Sequence, residues 1–83
     1  MTILYQTIIC PRCKEDYLIV EKNNANNELY LCCSECEAAW HNIDDAKLKI
    51  NMFVSPDLDS SDPDISEIRK YGWENLITGE IEV

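Results

Sequence analysis

What this chain has little of narrows the reading first. Its 83 residues include two glycines, three prolines, one phenylalanine and one histidine. Two glycines, at positions 72 and 79, are too few for a phosphate-cradling loop, and no nucleophile elbow occurs. The single histidine, His41, has no evident partner for acid–base work and reads as a surface residue following Trp40. Bases are scarce: seven against sixteen acids, for a net charge of −9. Nucleic-acid binding depends on lysine and arginine meeting phosphate. In residues 1–54 only Arg12, Lys14, Lys22, Lys47 and Lys49 are available, among eight acids. No apolar run approaches the roughly 20 residues of a membrane-spanning helix. The first residues, Met1 to Tyr5, lack a basic region and a small-residue cleavage site, so no targeting segment is read and a cytoplasmic location is expected.

Cysteine is the exception to this scarcity. Cys10-Pro11-Arg12-Cys13 and Cys33-Ser34-Glu35-Cys36 each place two thiols at the ends of a four-residue turn. Nineteen residues lie between Cys13 and Cys33, enough for a strand, a turn and a returning strand. Such a hairpin brings the two turns side by side with four sulfurs converging. Four thiolates at about 2.3 Å in a tetrahedron suit zinc, and the spacing lies in the range of zinc-binding cysteine pairs. Cys10, Cys13, Cys33 and Cys36 are therefore the expected metal ligands, with zinc as the metal. Iron held by four thiolates is the chemical alternative. Disulfides are disfavoured by the odd cysteine count and the lack of a leader. A redox pair would be expected at the start of a helix in a βαβ setting, and neither pair sits in one. Cys32, next to Cys33 on a strand, should point to the opposite sheet face and take a packing role. His41 lies at a spacing from Cys36 that permits ligation, but four cysteines already complete the set.

The rest of the chain reads as one small domain, 1–83, whose modest core a metal would supplement. Residues 2–9, 16–21 and 28–33 are rich in β-branched and aromatic side chains and predict three strands, with an asparagine turn over 23–27. Trp40 is expected to pack beside the metal site. Asn42 or Asp44 can cap a short turn. Leu48, Ile50, Met52 and Val54 alternate, predicting a strand over 47–54, with a helix over 44–50 as the competitor. Residues 55–62 read as a loop. Asp62 is expected to cap a helix with Pro63 in its first turn; Ile65, Ile68 and Tyr71 recur at helical spacing, and Gly72 ends it. One further turn is expected over 73–77, with Gly79 as a break. The predicted fold is thus small α+β. A ribbon part, 1–54, forms an antiparallel sheet, and 55–83 forms an acidic loop and a short C-terminal helix.

The two cysteine pairs, the hairpin between them and Trp40 resemble the zinc-ribbon superfamily, over roughly residues 8–41. That family often carries glycine just after the second cysteine of each turn, where the backbone is left-handed. Here those positions hold Lys14 and Glu37, which marks a divergent ribbon. The whole layout, with Lys70-Tyr71-Gly72-Trp73 near the end, is also similar to small bacterial proteins. Some of these are immunity proteins of polymorphic or contact-dependent toxin systems. That resemblance implies a small acidic protein that binds and neutralises a toxin domain.

These readings converge on a non-enzymatic zinc-binding interaction module, since four protein ligands leave zinc no open position for water. Residues 55–83 carry eight acids and two bases, so the tail is the more acidic part. Asp57, Asp59, Asp62, Asp64 and Glu67, with Trp73 as an aromatic anchor, are the candidate surface for a basic protein partner such as a nuclease domain. A solvated face that maintains solubility is the competing reading of the same charges. A zinc ribbon binding nucleic acid in transcription or translation is the alternative function.

Overall fold

The computed structural model describes residues 3–54 and 59–82. It is a small α+β fold, an antiparallel sheet with short helices. In chain order the elements are β1 (Ile3–Ile9), β2 (Tyr17–Asn23), β3 (Glu28–Cys33), β4 (Ala38–Trp40) and α1 (Ile43–Leu48). Then come β5 (Phe53–Val54), β6 (Ser60–Ser61), α2 (Ile65–Tyr71), a 3₁₀ turn (Glu74–Leu76) and β7 (Gly79–Glu82). The strand order is β5-β4-β3-β2-β1-β7, and β6 pairs with β2. Since β3 pairs with β2 from Leu18 to Asn23, β6 takes the other side of β2, beyond the stretch that β1 occupies. No helix among the described residues is long and apolar enough to cross a membrane.

Strand alternation sorts the side chains into two faces. Val20, Leu31 and Trp40 lie in register across β2, β3 and β4, and Leu18 lies opposite Cys33. With Tyr5, Leu29 and Ala38 they form the core, closed by Ala46 of α1 and Ile68 of α2. Burying a large apolar side chain such as Leu18, Leu31 or Ile68 contributes about 1.5–3 kcal/mol. Thr7 is the one buried polar side chain among the described residues, and its hydroxyl donates to the Leu18 carbonyl at 2.9 Å. On the opposite face Ile19, Cys32, Ala39 and Phe53 form a second row.

Several local expectations need correction. The strand expected over 47–54 is replaced by α1 and the two-residue β5. Asn42 caps α1 by accepting from the Asp45 N–H at 2.8 Å, while Asp44 and Asp45 favour the positive end of the helix dipole. Ala46 then reaches the core. These helix signals outweigh an apolar alternation that has no core to face. α2 is capped by Asp64, not Asp62, with Pro63 just outside the helix. Asp64 accepts from the Glu67 N–H, and Glu67 reaches back to the Asp64 N–H, closing a capping box. Gly72 ends α2 at φ 83°, as expected. Gly79 opens strand β7 beside Gln6 of β1, where a break was expected. Within 55–62, residues 60–61 form strand β6, and 55–58 lie outside the described residues.

Candidate metal centre

The first cysteine turn follows β1, and the second links β3 to β4. They are built alike. The Lys14 N–H donates to the Cys10 carbonyl at 3.0 Å, and the Glu37 N–H donates to the Cys33 carbonyl at 3.1 Å. Lys14 has φ 58° and Glu37 φ 61°, so both occupy the left-handed region without glycine. Each such residue costs on the order of 1 kcal/mol. A tight turn that aims the flanking thiols is the feature those costs accompany.

The four thiols converge. The sulfurs of Cys10, Cys13, Cys33 and Cys36 all lie within 4.8 Å of one another. Cys10 Sγ and Cys36 Sγ are 3.6 Å apart, and Cys13 Sγ and Cys33 Sγ are 3.5 Å apart. A tetrahedral ion with bonds of about 2.3 Å needs sulfur–sulfur edges of about 3.8 Å, so this donor set fits a metal with small adjustments. Disulfide bonds, at about 2.05 Å, are excluded by the same distances. The chain thus contains a four-cysteine cluster at metal-binding distance.

Burial and hydrogen bonding treat the four thiols differently. Cys10 and Cys33 are fully buried, whereas Cys13 and Cys36 are half-exposed at the rim. Burial pushes the Cys10 thiol up and the Cys33 thiol up to about 12. The Glu15 N–H, with the neighbouring sulfurs, draws Cys13 down to about 7. A divalent cation would favour the thiolate at all four positions. Trp40 belongs to the same buried cluster as Cys10 and Cys33, and its indole N–H has no hydrogen-bond partner among the described residues.

One contact tying the turns together was not foreseen from the sequence. Ser34 Oγ donates to Asp16 Oδ2 at 2.5 Å, across 18 positions of chain. Asp16 Oδ1 accepts from the Tyr17 N–H, and Cys10 N–H donates to the Asp16 carbonyl. The Ser34 hydroxyl, followed by the Tyr17 N–H, holds the Asp16 carboxyl below its usual range. The signal was faint: a serine inside one cysteine turn and an aspartate just after the other, linked only once the hairpin closes.

Cys32 lies outside the four-sulfur cluster, on the face opposite Cys33, level with Ile19 and Ala39. It is half-buried and donates toward the Cys33 carbonyl at 3.5 Å. His41 is exposed and outside the cluster; its ring stacks on Phe53 at 4.5 Å.

The acidic candidates are more dispersed in role. Asp57 lies outside the described residues. Asp59 and Asp62 are exposed, and Asp59 Oδ1 accepts from Asn24 Nδ2 at 3.4 Å. Asp64 is exposed but serves as the α2 cap, and Glu67 completes that cap while pairing with Lys22 at 2.6 Å. Trp73 is half-buried against the core, and the exposed Tyr71 meets its ring edge-on at 4.8 Å. Comparison of the chain with family models, with curated proteins and with solved structures gives no match.

Proposed function

We propose that this chain is a non-enzymatic, single-domain zinc-ribbon module that binds a basic protein partner, in the manner of an immunity or inhibitor protein acting in the cytoplasm. The convergence of four thiols carries the zinc part of the reading. A Cys₄ donor set is soft, suits tetrahedral zinc and supplies all four ligands, leaving no position for a reacting water. The metal's contribution would be structural: it would fix the two turns and hold the β1–β4 end of the sheet together.

The charge supports the partner part. At −9 the chain is strongly acidic, and four thiolates around one divalent ion add about two negative charges. Such a field accelerates encounter with a basic partner and disfavours nucleic acid. The few bases are also partly committed. Lys22 pairs with Glu67, and Arg69 pairs with Glu74. Asp59 and Asp62 are the described acids of the candidate surface that cap no helix. Tyr71, nine positions after Asp62 at the end of α2, offers an exposed aromatic ring.

The test has two parts. Elemental analysis of the purified protein should give about one zinc per chain. Association with a panel of basic nuclease toxin domains, and separately with DNA and RNA, is then measured against salt concentration. Binding to a nuclease domain that weakens with salt and slows in an Asp57→Asn, Asp59→Asn, Asp62→Asn variant is the expected result. Salt-dependent binding to nucleic acid with no protein partner would replace this reading with the alternative one, a nucleic-acid-binding ribbon.

A further inference from the structure

The two pairs of thiols stand on unequal supports. β2 and β3 pair without interruption from Leu18 opposite Cys33 to Asn23 opposite Glu28, so Cys33 ends a regular ladder. β1 meets β2 with a register shift between Gln6 and Ile9, so Cys10 follows an irregular one. A register shift disrupts the ladder locally. Residues 10–16, which carry the first turn, belong to no strand. Holding Cys10 and Cys13 against Cys33 and Cys36 therefore needs a further constraint, and Asp16 supplies one. Its carbonyl accepts from the Cys10 N–H at 2.8 Å, closing the first turn. One carboxylate oxygen accepts from the Tyr17 N–H at 2.8 Å, which holds the side chain at the start of β2. The other accepts from Ser34 Oγ at 2.5 Å, and Ser34 stands between Cys33 and Cys36. Apart from contacts of the thiols, this is the one side-chain hydrogen bond between the two turns among the described residues. A hydroxyl bound to a carboxylate makes a short, charge-assisted bond, stronger than a neutral pair.

We propose that Asp16 is a positioning residue of the metal centre, which latches onto Ser34, holds the first cysteine turn against the second and so slows loss of the cation. The proposal rests on the zinc reading of the four-cysteine cluster. Groups behind the ligands tune metal affinity by fixing where the ligands point. The Asp16 latch touches no sulfur. It acts on the Cys10 backbone from one side and, through Ser34, on the residue next to Cys33 from the other. A cation bound by both turns is released when one turn swings away from the other, and the latch opposes that swing.

Release of zinc from the loaded protein to an excess of chelator, followed at neutral pH, tests this. Asp16→Ala and Ser34→Ala should each speed release about tenfold. The two together should do no more than either alone, because they break the same bond. Ser34→Thr keeps the hydroxyl at an exposed position and should release zinc at the wild-type rate. Asp16→Asn can still bond Ser34 through its amide and should stay close to wild type. Asp64→Ala, which deletes the α2 cap, should leave the rate unchanged and so separates the latch from a general loss of stability. Wild-type rates in both alanine variants would overturn the proposal and leave the zinc reading intact. So would additive effects, or an equal acceleration in Asp64→Ala. Release from Asp16→Asn as fast as from Asp16→Ala would assign the effect to charge and overturn the latch. A wild type that takes up no zinc would remove the zinc reading itself, and this proposal with it.

Discussion

The β2–β3 hairpin is held differently at its two ends. At one end four sulfurs meet, two of them fully buried, in a cluster that a cation would close. At the other, small polar groups secure the Asn23–Asn27 turn. Asn23 Oδ1 accepts from the Ala25 N–H at 3.0 Å, and Asn26 Oδ1 accepts from the Glu28 N–H at 3.0 Å. β6 adds a clasp in which the Asn24 N–H donates to the Asp59 carbonyl at 2.8 Å and Ser61 Oγ donates to Asn24 Oδ1 at 2.9 Å. α2 adds the Lys22–Glu67 pair. Each of these polar contacts is worth about 0.5–1.5 kcal/mol, and an exposed ion pair less. The turn end should therefore weaken by degrees. The cysteine end should fail as a unit, because a single bound cation would join all four thiols at once.

The sharpest way to break this contrast is to remove one ligand. Cys33→Ser, or removal of the metal by a chelator, should abolish cooperative thermal unfolding followed by circular dichroism. Structural zinc contributes on the order of 10 kcal/mol to small modules at neutral pH. Cys32→Ala, one residue away but on the other face, should keep about one zinc per chain. Retention of the metal in Cys33→Ser and its loss in Cys32→Ala would reverse the ligand assignment. Retention of both metal and cooperative unfolding in Cys33→Ser would remove the difference between the two ends.

At the turn end the expected losses are smaller. Asp64→Ala deletes the α2 capping box and should cost about 1 kcal/mol in urea denaturation, with metal content unchanged. Loss of the metal in this variant would show the two ends to be one cooperative unit. The same cap argues against neutralising Asp64 when the partner surface is probed, since a change in stability would be mistaken for a change in binding.

The two ends also differ in how far sequence revealed them. The cysteine cluster was legible because its spacing is fixed by coordination chemistry, and the strands that carry it are long enough to show a pattern. Cys32 could be set apart from Cys33 on alternation alone. The clasp was not legible. β6 has two residues and β5 two, too few for any periodicity, and β7 begins at a glycine that reads as a break. The alternation of Leu48, Ile50, Met52 and Val54 pointed to a strand because exposed apolar residues mimic buried ones in sequence. The Asp64–Glu67 spacing held the α2 start in plain view, but Pro63 drew the expected cap two residues early.

The smallest expected effect concerns Glu21, where the clasp meets β2. Lys22 pairs with Ser61, so Asp62, the next residue, comes beside Glu21, while Tyr30 lies opposite Glu21 on β3. Burial, then the Asp62 charge, push the Glu21 carboxyl from its ordinary 4.5 up to about 7. Burial likewise raises the Tyr30 hydroxyl, with the Glu21, Cys32 and Asp62 charges adding to the rise and the Ser60 hydroxyl opposing it. Between pH 4.5 and 7 the folded chain holds a proton on Glu21 that the unfolded chain has released. Stability from this group is thus fully present below pH 4.5 and is lost as pH rises through 7. Glu21→Gln keeps the neutral form at every pH, so it should stabilise the protein more at pH 8 than at pH 6. Because Glu21 is only half-buried, solvent screening keeps the gain modest. Taking the difference between variant and wild type at each pH cancels the protonation of the cysteines, which both proteins share. Asp62→Asn should show a weaker form of the same trend. A Glu21→Gln gain that is flat with pH, or larger at pH 6, would mean that the carboxyl titrates alike in the folded and unfolded chain, and that the clasp carries no charge conflict.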